Sequence, residues 1–132
     1  MRRAGIVWIL LLLLCGCSVQ TNKREKLRDL EYRILEEREI PADLRAILEE
    51  KREKEFKLTY EEEKKLYLCI GYGEQETGGY SIAVKELYLS ENAVYFDTNL
   101  MGPGKEEAAS QAKSYPYLVV QTEDVGKPVV FQ

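Results

Sequence analysis

The sequence predicts an α+β protein, mainly antiparallel β, built as a sandwich-like or strongly curved sheet of five to seven strands with one helix. Three observations predict it. Apolar and polar residues alternate from Tyr80 to Leu100 and again from Tyr117 to Phe131. A stretch from about Pro41 to about Lys54 carries apolar residues at helical spacing. Four glycines fall within the nine residues from Gly71 to Gly79, between two apolar runs, as in a strand, a glycine-rich loop and a second strand. With 132 residues there is room for one domain. Apolar residues at 45% and charged residues at 32% suit a small globular protein better than a disordered chain.

The chain divides into three parts: a processing segment at 1–16, a tether at 17–29 and a single domain at 30–132. Arg2 and Arg3 give a positive start, and Ile6 to Leu14 is an unbroken run of nine apolar residues. A membrane span needs ~20 such residues, so this run fits a signal-peptide core. It ends in Leu14-Cys15-Gly16-Cys17, which resembles the bacterial lipobox. On that resemblance Cys17 becomes the lipidated first residue, and an extracytoplasmic, membrane-anchored lipoprotein is expected. Several acyl chains on one Cys hold a protein on a bilayer, where one chain is marginal. Loss of Arg2 and Arg3 moves the net charge from −4 to −6, with 17 basic against 23 acidic residues. Attraction to anionic lipid then adds nothing to the anchor, and no basic patch points to nucleic acid.

The mature chain opens on polar residues, Ser18 to Asp29, without apolar periodicity. Leu30-Glu31-Tyr32-Arg33-Ile34 alternates with period two and favours a strand, although Leu27, Leu30, Ile34 and Leu35 also fit helical spacing. Pro41 suits a first helical position. Asp43 near the start and Lys51, Arg52 and Lys54 near the end carry the favourable signs for the helix dipole. Leu44, Ile47 and Leu48 make one face, which would cover a sheet. Glu61 to Lys65 reads as a solvated turn. Tyr80, Ile82 and Val84 share one strand face, but the apolar positions then step to Leu87 and Leu89, which predicts a bulge near Lys85 or Glu86. Ser90-Glu91-Asn92 makes a tight turn into Val94, Phe96, Thr98 and Leu100, and the two strands form a hairpin. Gly102-Pro103-Gly104 stops the sheet. Lys105 to Ser114 reads as a short helical turn or an exposed loop. Pro116 fits a first strand position or an edge. Gly126-Lys127 turns the chain, and the last two strands are expected to pair antiparallel.

No catalytic constellation stands out. Histidine is absent, which removes the commonest general base and metal ligand, and no cofactor or metal is expected. Cys69 is the one thiol left after processing. It lies inside an apolar strand pattern and has no imidazole partner, so it reads as a structural thiol. The glycine-rich loop runs into a strand and has no Gly-Lys-Ser/Thr ending, so a phosphate cradle does not fit. Carboxylates are plentiful but fall in no motif; Asp97, between Phe96 and Thr98, reads as a sheet-surface residue. Gly78-Gly79 reads either as a wide turn demanded by sheet geometry or as a loop that meets another polypeptide closely, with Tyr80 as a rigid aromatic contact. Tyr115-Pro116-Tyr117 reads as a strand entrance packed by two rings, or as the second half of that contact surface.

The run Gly71-Tyr72-Gly73 through Thr77-Gly78-Gly79-Tyr80-Ser81-Ile82, with Leu100-Met101-Gly102-Pro103, Ser114-Tyr115-Pro116-Tyr117, Val119-Val120 and Val129-Val130-Phe131, resembles the PrcB family over about residues 66 to 132. The resemblance implies a small bacterial surface lipoprotein that associates with, and supports, a subtilisin-like protease complex without being a protease. Glu76 stands where the family often has a proline, which would leave the start of the loop less rigid. A competing resemblance is to chagasin-type cysteine-protease inhibitors, which also present a Thr-Gly loop from a small β domain. This chain lacks their tryptophans, since Trp8 leaves with the signal. Thr77, Gly78, Gly79, Tyr80, Tyr115, Pro116 and Tyr117 are the expected partner-contact set, and Cys17 the lipidation site.

Overall fold

The computed structural model describes residues 25–104 and 112–132. Cys17, the processing segment and most of the 105–114 stretch lie outside the described residues. Among the described residues eight strands form two four-stranded sheets, with one α-helix. The α+β class and the mainly antiparallel pairing agree with the sequence, and the strand count exceeds the expected five to seven by one.

The strands are β1 (Lys26–Asp29), β2 (Tyr32–Ile34), β3 (Glu55–Glu62), β4 (Lys65–Tyr72), β5 (Ser81–Ser90), β6 (Val94–Met101), β7 (Tyr117–Glu123) and β8 (Val129–Phe131). The helix α1 (Ala42–Lys51) falls between β2 and β3, and a short 3-10 turn at Glu37–Glu39 precedes it. The first sheet has the order β1-β5-β6-β8 and the second β2-β7-β4-β3.

The second sheet is the middle layer. One face of β4 and β7 turns Leu66, Leu68, Ile70, Leu118 and Val120 towards Leu87, Val94 and Phe96 of the first sheet. The other face turns Tyr67, Cys69 and Val119 towards Leu35, Ile40, Leu44 and Leu48 around the helix. Burial on both faces is why Leu66 to Ile70 is a continuous apolar run instead of an alternation. Each large side chain withdrawn from water here contributes about 1.5–3 kcal/mol.

The helix covers one face of that sheet, as its apolar stripe predicts, and it is shorter than expected. Pro41 sits at the N-cap instead of the first helical position, and Arg52 caps the other end on the Leu48 carbonyl. The bulge near Lys85 is present as a register shift between Val84 and Glu86 in the β5–β6 hairpin. The hairpin turn is held by the Ser90 hydroxyl, which accepts the amides of Asn92 and Ala93.

Four expectations need correction. The stretch read as a tether to residue 29 ends in strand β1, which pairs antiparallel with β5. Its side chains are exposed on both faces, Leu27 to 61%, so no apolar period marks it; backbone pairing holds it, with Arg28 reaching Glu123 and Lys26 lying over the Tyr88 ring. The 30–34 strand is shorter than expected, and within it Tyr32 and Ile34 face solvent, Ile34 52% exposed. Leu30 is buried at a crossing: its amide donates to Leu87 in one sheet, while the Glu31 carbonyl accepts Thr122 Oγ1 from the other. Strand β3 was hidden in the charged half, because Glu and Lys fill its outer positions around Phe56, Leu58 and Tyr60. The last two strands do not pair. β7 lies between β2 and β4, whereas β8 joins the other sheet parallel to β6. Gly126, at φ +72°, turns the chain out of β7; the Pro128 carbonyl accepts the Val94 amide, and Val129 and Phe131 pack against the inter-sheet core.

Candidate functional site

The ends of β4 and β6 and the starts of β5, β7 and β3 meet at one end of the sandwich, because their antiparallel registers alternate direction. Three segments gather there: 73–80, 102–104 and 112–117. The first is the glycine-rich loop, and the third approaches it as an extended chain.

Backbone bonds fasten the loop. The Tyr72 amide donates to the Pro116 carbonyl at 3.1 Å. Gln75 and Ser114 exchange both backbone bonds, at 2.8 and 3.0 Å, as an isolated antiparallel bridge. Ser114 Oγ then donates to the Thr77 carbonyl at 2.6 Å. The Gln75 side-chain amide donates to the Tyr72 carbonyl, and the Thr77 hydroxyl donates to the Gly78 carbonyl. Thus the two segments expected to form one surface do lie side by side, and Ser114 is the stitch between them.

Gly79 has φ +88°, and a Cβ there would lie 2.9 Å from Pro103 Cβ. Only glycine lets the loop make this bend and pass so close to the proline ring. The Tyr80 ring packs over Gly102, in ordinary contact 3.4 Å from where a Cβ would stand. Gly79 is exposed, and Thr77, Gly78 and Tyr80 are half-buried, so the bend is reachable from solvent. Tyr115, Pro116 and Tyr117 are half-buried too. Tyr115 stacks under the Arg52 guanidinium, 5.3 Å from its ring centroid, which ties the end of the helix to the site. Tyr117 instead turns towards the helix-side core, where burial pushes its phenol above its ordinary value. It thus also supports the site from the helix side. At the rim, Lys113 pairs with Glu74 at 3.0 Å, and that hydrogen bond raises the lysine's pKa.

Sequence reading missed Pro103, Ser114 and Arg52. Gly102-Pro103 and Ser114 figure in the sequence only as a strand stop and as parts of the family resemblance, and the contacts they make depend on which segments the fold sets side by side. Below the site, the Tyr72 hydroxyl and Thr98 Oγ1 share a 2.6 Å hydrogen bond that joins the two sheets. Cys69 is buried in the helix-side core, and desolvation pushes its thiol up to about 12, so it is not poised as a nucleophile. Asp97 is half-buried and 4.0 Å from Lys85. Among the described residues no three His, Cys, Asp or Glu side chains gather so as to hold a metal. None of their helices is long and apolar enough to cross a membrane. The arrangement offers a rigid, aromatic and backbone-rich surface.

Residues 66–123 match the family model described as PrcB C-terminal. The matched stretch runs from the start of β4 to the end of β7 and contains all three loop segments. It leaves out α1, β3 and β8, so it stops short of Val129-Val130-Phe131. No curated protein and no solved structure matches the chain.

Proposed function

We propose, on the premise that residues 66–123 are a PrcB C-terminal region, that this protein is a non-catalytic protein-binding module. It acts as an accessory subunit of an extracytoplasmic, subtilisin-like protease complex and is held at the bacterial membrane by lipid on Cys17. The observation that carries the reading is the loop cluster: an exposed Gly79 bend against Pro103, stitched to the 112–117 segment by Ser114. Such a surface is ordered before it meets a partner, so little chain entropy is lost on binding. Tyr80 and Tyr115 supply aromatic contact, and the glycines let a second backbone come close. The absence of histidine and the buried Cys69 support a binding role over a catalytic one.

The test is capture of partners by the tagged full chain from its own envelope after gentle detergent extraction, read by mass spectrometry. An active serine protease among the captured proteins supports the reading, and Gly79→Asp or Tyr80→Ala abolishes its capture while the fold is kept. Capture of a protease whose activity is blocked stoichiometrically would instead favour the inhibitor. In fractionated cells, Cys17→Ser moves the protein out of the membrane fraction; unchanged partitioning removes the lipid anchor from the proposal.

A further inference from the structure

The two sides of the sandwich are not alike. On one, the chain crosses between sheets at Leu30-Glu31 and closes the gap. On the other, the second sheet ends in β3, eight residues paired to β4 at every position without a bulge. No described strand pairs with the outer edge of β3. Glu55, Lys57, Thr59 and Glu61 are exposed, so the first sheet does not reach over it.

The direction of its backbone groups follows from register. The Tyr72 amide bonds Pro116 and the Lys64 carbonyl takes the Asp124 amide, so even-numbered residues of β4 point at β7. Odd-numbered ones therefore point at β3, where they face its even-numbered residues. Lys57, Thr59 and Glu61 are left with their N–H and C=O groups aimed outwards. An edge of this length and regularity is a template for another strand unless something opposes pairing.

The charges on β3 would normally be read as that opposition. Their order says otherwise for one partner. Rotating the strand by a two-fold axis at Thr59 sets Lys57 opposite Glu61 of the copy, and Glu61 opposite its Lys57. It also sets Leu58 beside Tyr60, on the face that packs towards the helix. A two-fold contact must be complementary to itself, and over Lys57 to Glu61 this one is complementary in charge, in apolar contact and in backbone polarity, while Glu55 meets Glu63 of the copy only at the solvated ends of the contact. The geometry points to a homodimer in which β3 pairs antiparallel with β3 of a second copy, making one continuous eight-stranded sheet. This stands on β3 and not on the loop cluster, so it is independent of the function proposed above.

Sedimentation of the full chain in density-matched detergent across a concentration series tests it. The native chain sediments as a dimer. Lys57→Glu and Glu61→Lys each set like charges opposite twice per dimer and raise the dissociation constant about tenfold or more. The double variant Lys57→Glu/Glu61→Lys restores the pairing and the dimer. Thr59→Pro removes an outward N–H that the monomer does not use and abolishes the dimer; if that variant does not fold, the charge exchange decides alone. A chain that is monomeric throughout overturns the inference, and so does a dimer that ignores the single charge reversals or is not rescued by the double one.

Discussion

Along β4 five consecutive side chains, Leu66 to Ile70, are buried; from Glu74 to Tyr80, in the loop that leaves the same strand, none is. The strand is held by side chains packed on both faces, against the other sheet and against α1. The loop is held by backbone: the Gln75–Ser114 bridge, the Ser114 hydroxyl on the Thr77 carbonyl, and a glycine in a bend that other residues resist. The difference teaches where each region is vulnerable. Loss of volume harms the strand and gain of a Cβ harms the loop, and the two kinds of damage separate stability from recognition.

The largest expected effect probes the strand region through Cys69. With its thiol pushed up to about 12 by burial, only about one thiol in ten thousand is ionised at pH 8. Alkylation of Cys69, followed by peptide mass, is therefore slower by orders of magnitude than that of an exposed thiol, and becomes fast in denaturant. Because the folded value lies above the unfolded one, the thiol's contribution to stability is fully present below about pH 9. It is lost as pH rises from there towards 12. A native-state alkylation rate equal to that of the unfolded chain would place Cys69 at the surface.

Next in size is Phe96→Ala. The ring is buried between the sheets and meets Phe131 edge-on at 5.8 Å. Its removal costs about 3–5 kcal/mol. Urea unfolding should show that loss as a lower midpoint, with partner capture retained wherever the chain is still folded. Gly79→Ala is the counterpart in the loop. The residue keeps φ +88° only under strain, and its Cβ meets Pro103 at 2.9 Å. The cost is about 1–3 kcal/mol, taken locally. Capture is expected to fall more than global stability does. If instead Phe96→Ala weakens capture in fully folded protein, or Gly79→Ala lowers stability without touching capture, the two regions are not separate.

How far these regions were legible follows from the same contrast. Side-chain patterns report packing, so the buried run at β4, the β5–β6 hairpin, its bulge and the helix could all be read. Backbone pairing leaves no such mark. Strand β1 is exposed on both faces and looked like tether, and β3 looked like part of a charged stretch. The path from β7 to β8 depends on which sheet has an open position beside β6, and a linear pattern does not hold that. In the site, the glycines and tyrosines announced themselves by type. Ser114 did not, because its role exists only once 114 lies opposite 75 and 77. Gly71 was read with the loop glycines, yet it lies in β4 beneath the Phe56 ring, 2.1 Å from where a Cβ would stand. It serves the edge strand and not the bend.

The smallest expected effect has the opposite sign and lies at the other end of the β3–β4 hairpin. Register sets Glu62 against Lys65, so Glu63 and Lys64 form a two-residue turn. Both have positive φ, 54° and 68°. That is the I′ geometry, which suits the right-handed twist of the strands but is strained for residues with a Cβ. Lys64→Gly relieves the strain at one position, and the greater freedom of glycine in the unfolded chain offsets part of the gain. A net stabilisation of about 0.5–1 kcal/mol is expected, seen as a small rise in melting temperature. The turn lies about eight residues of strand away from the glycine-rich loop, roughly 25 Å, so capture should be unchanged. A rise in stability that also altered capture would mean the strand pair transmits strain from one end to the other, and the division between packed strand and stitched loop would have to be redrawn.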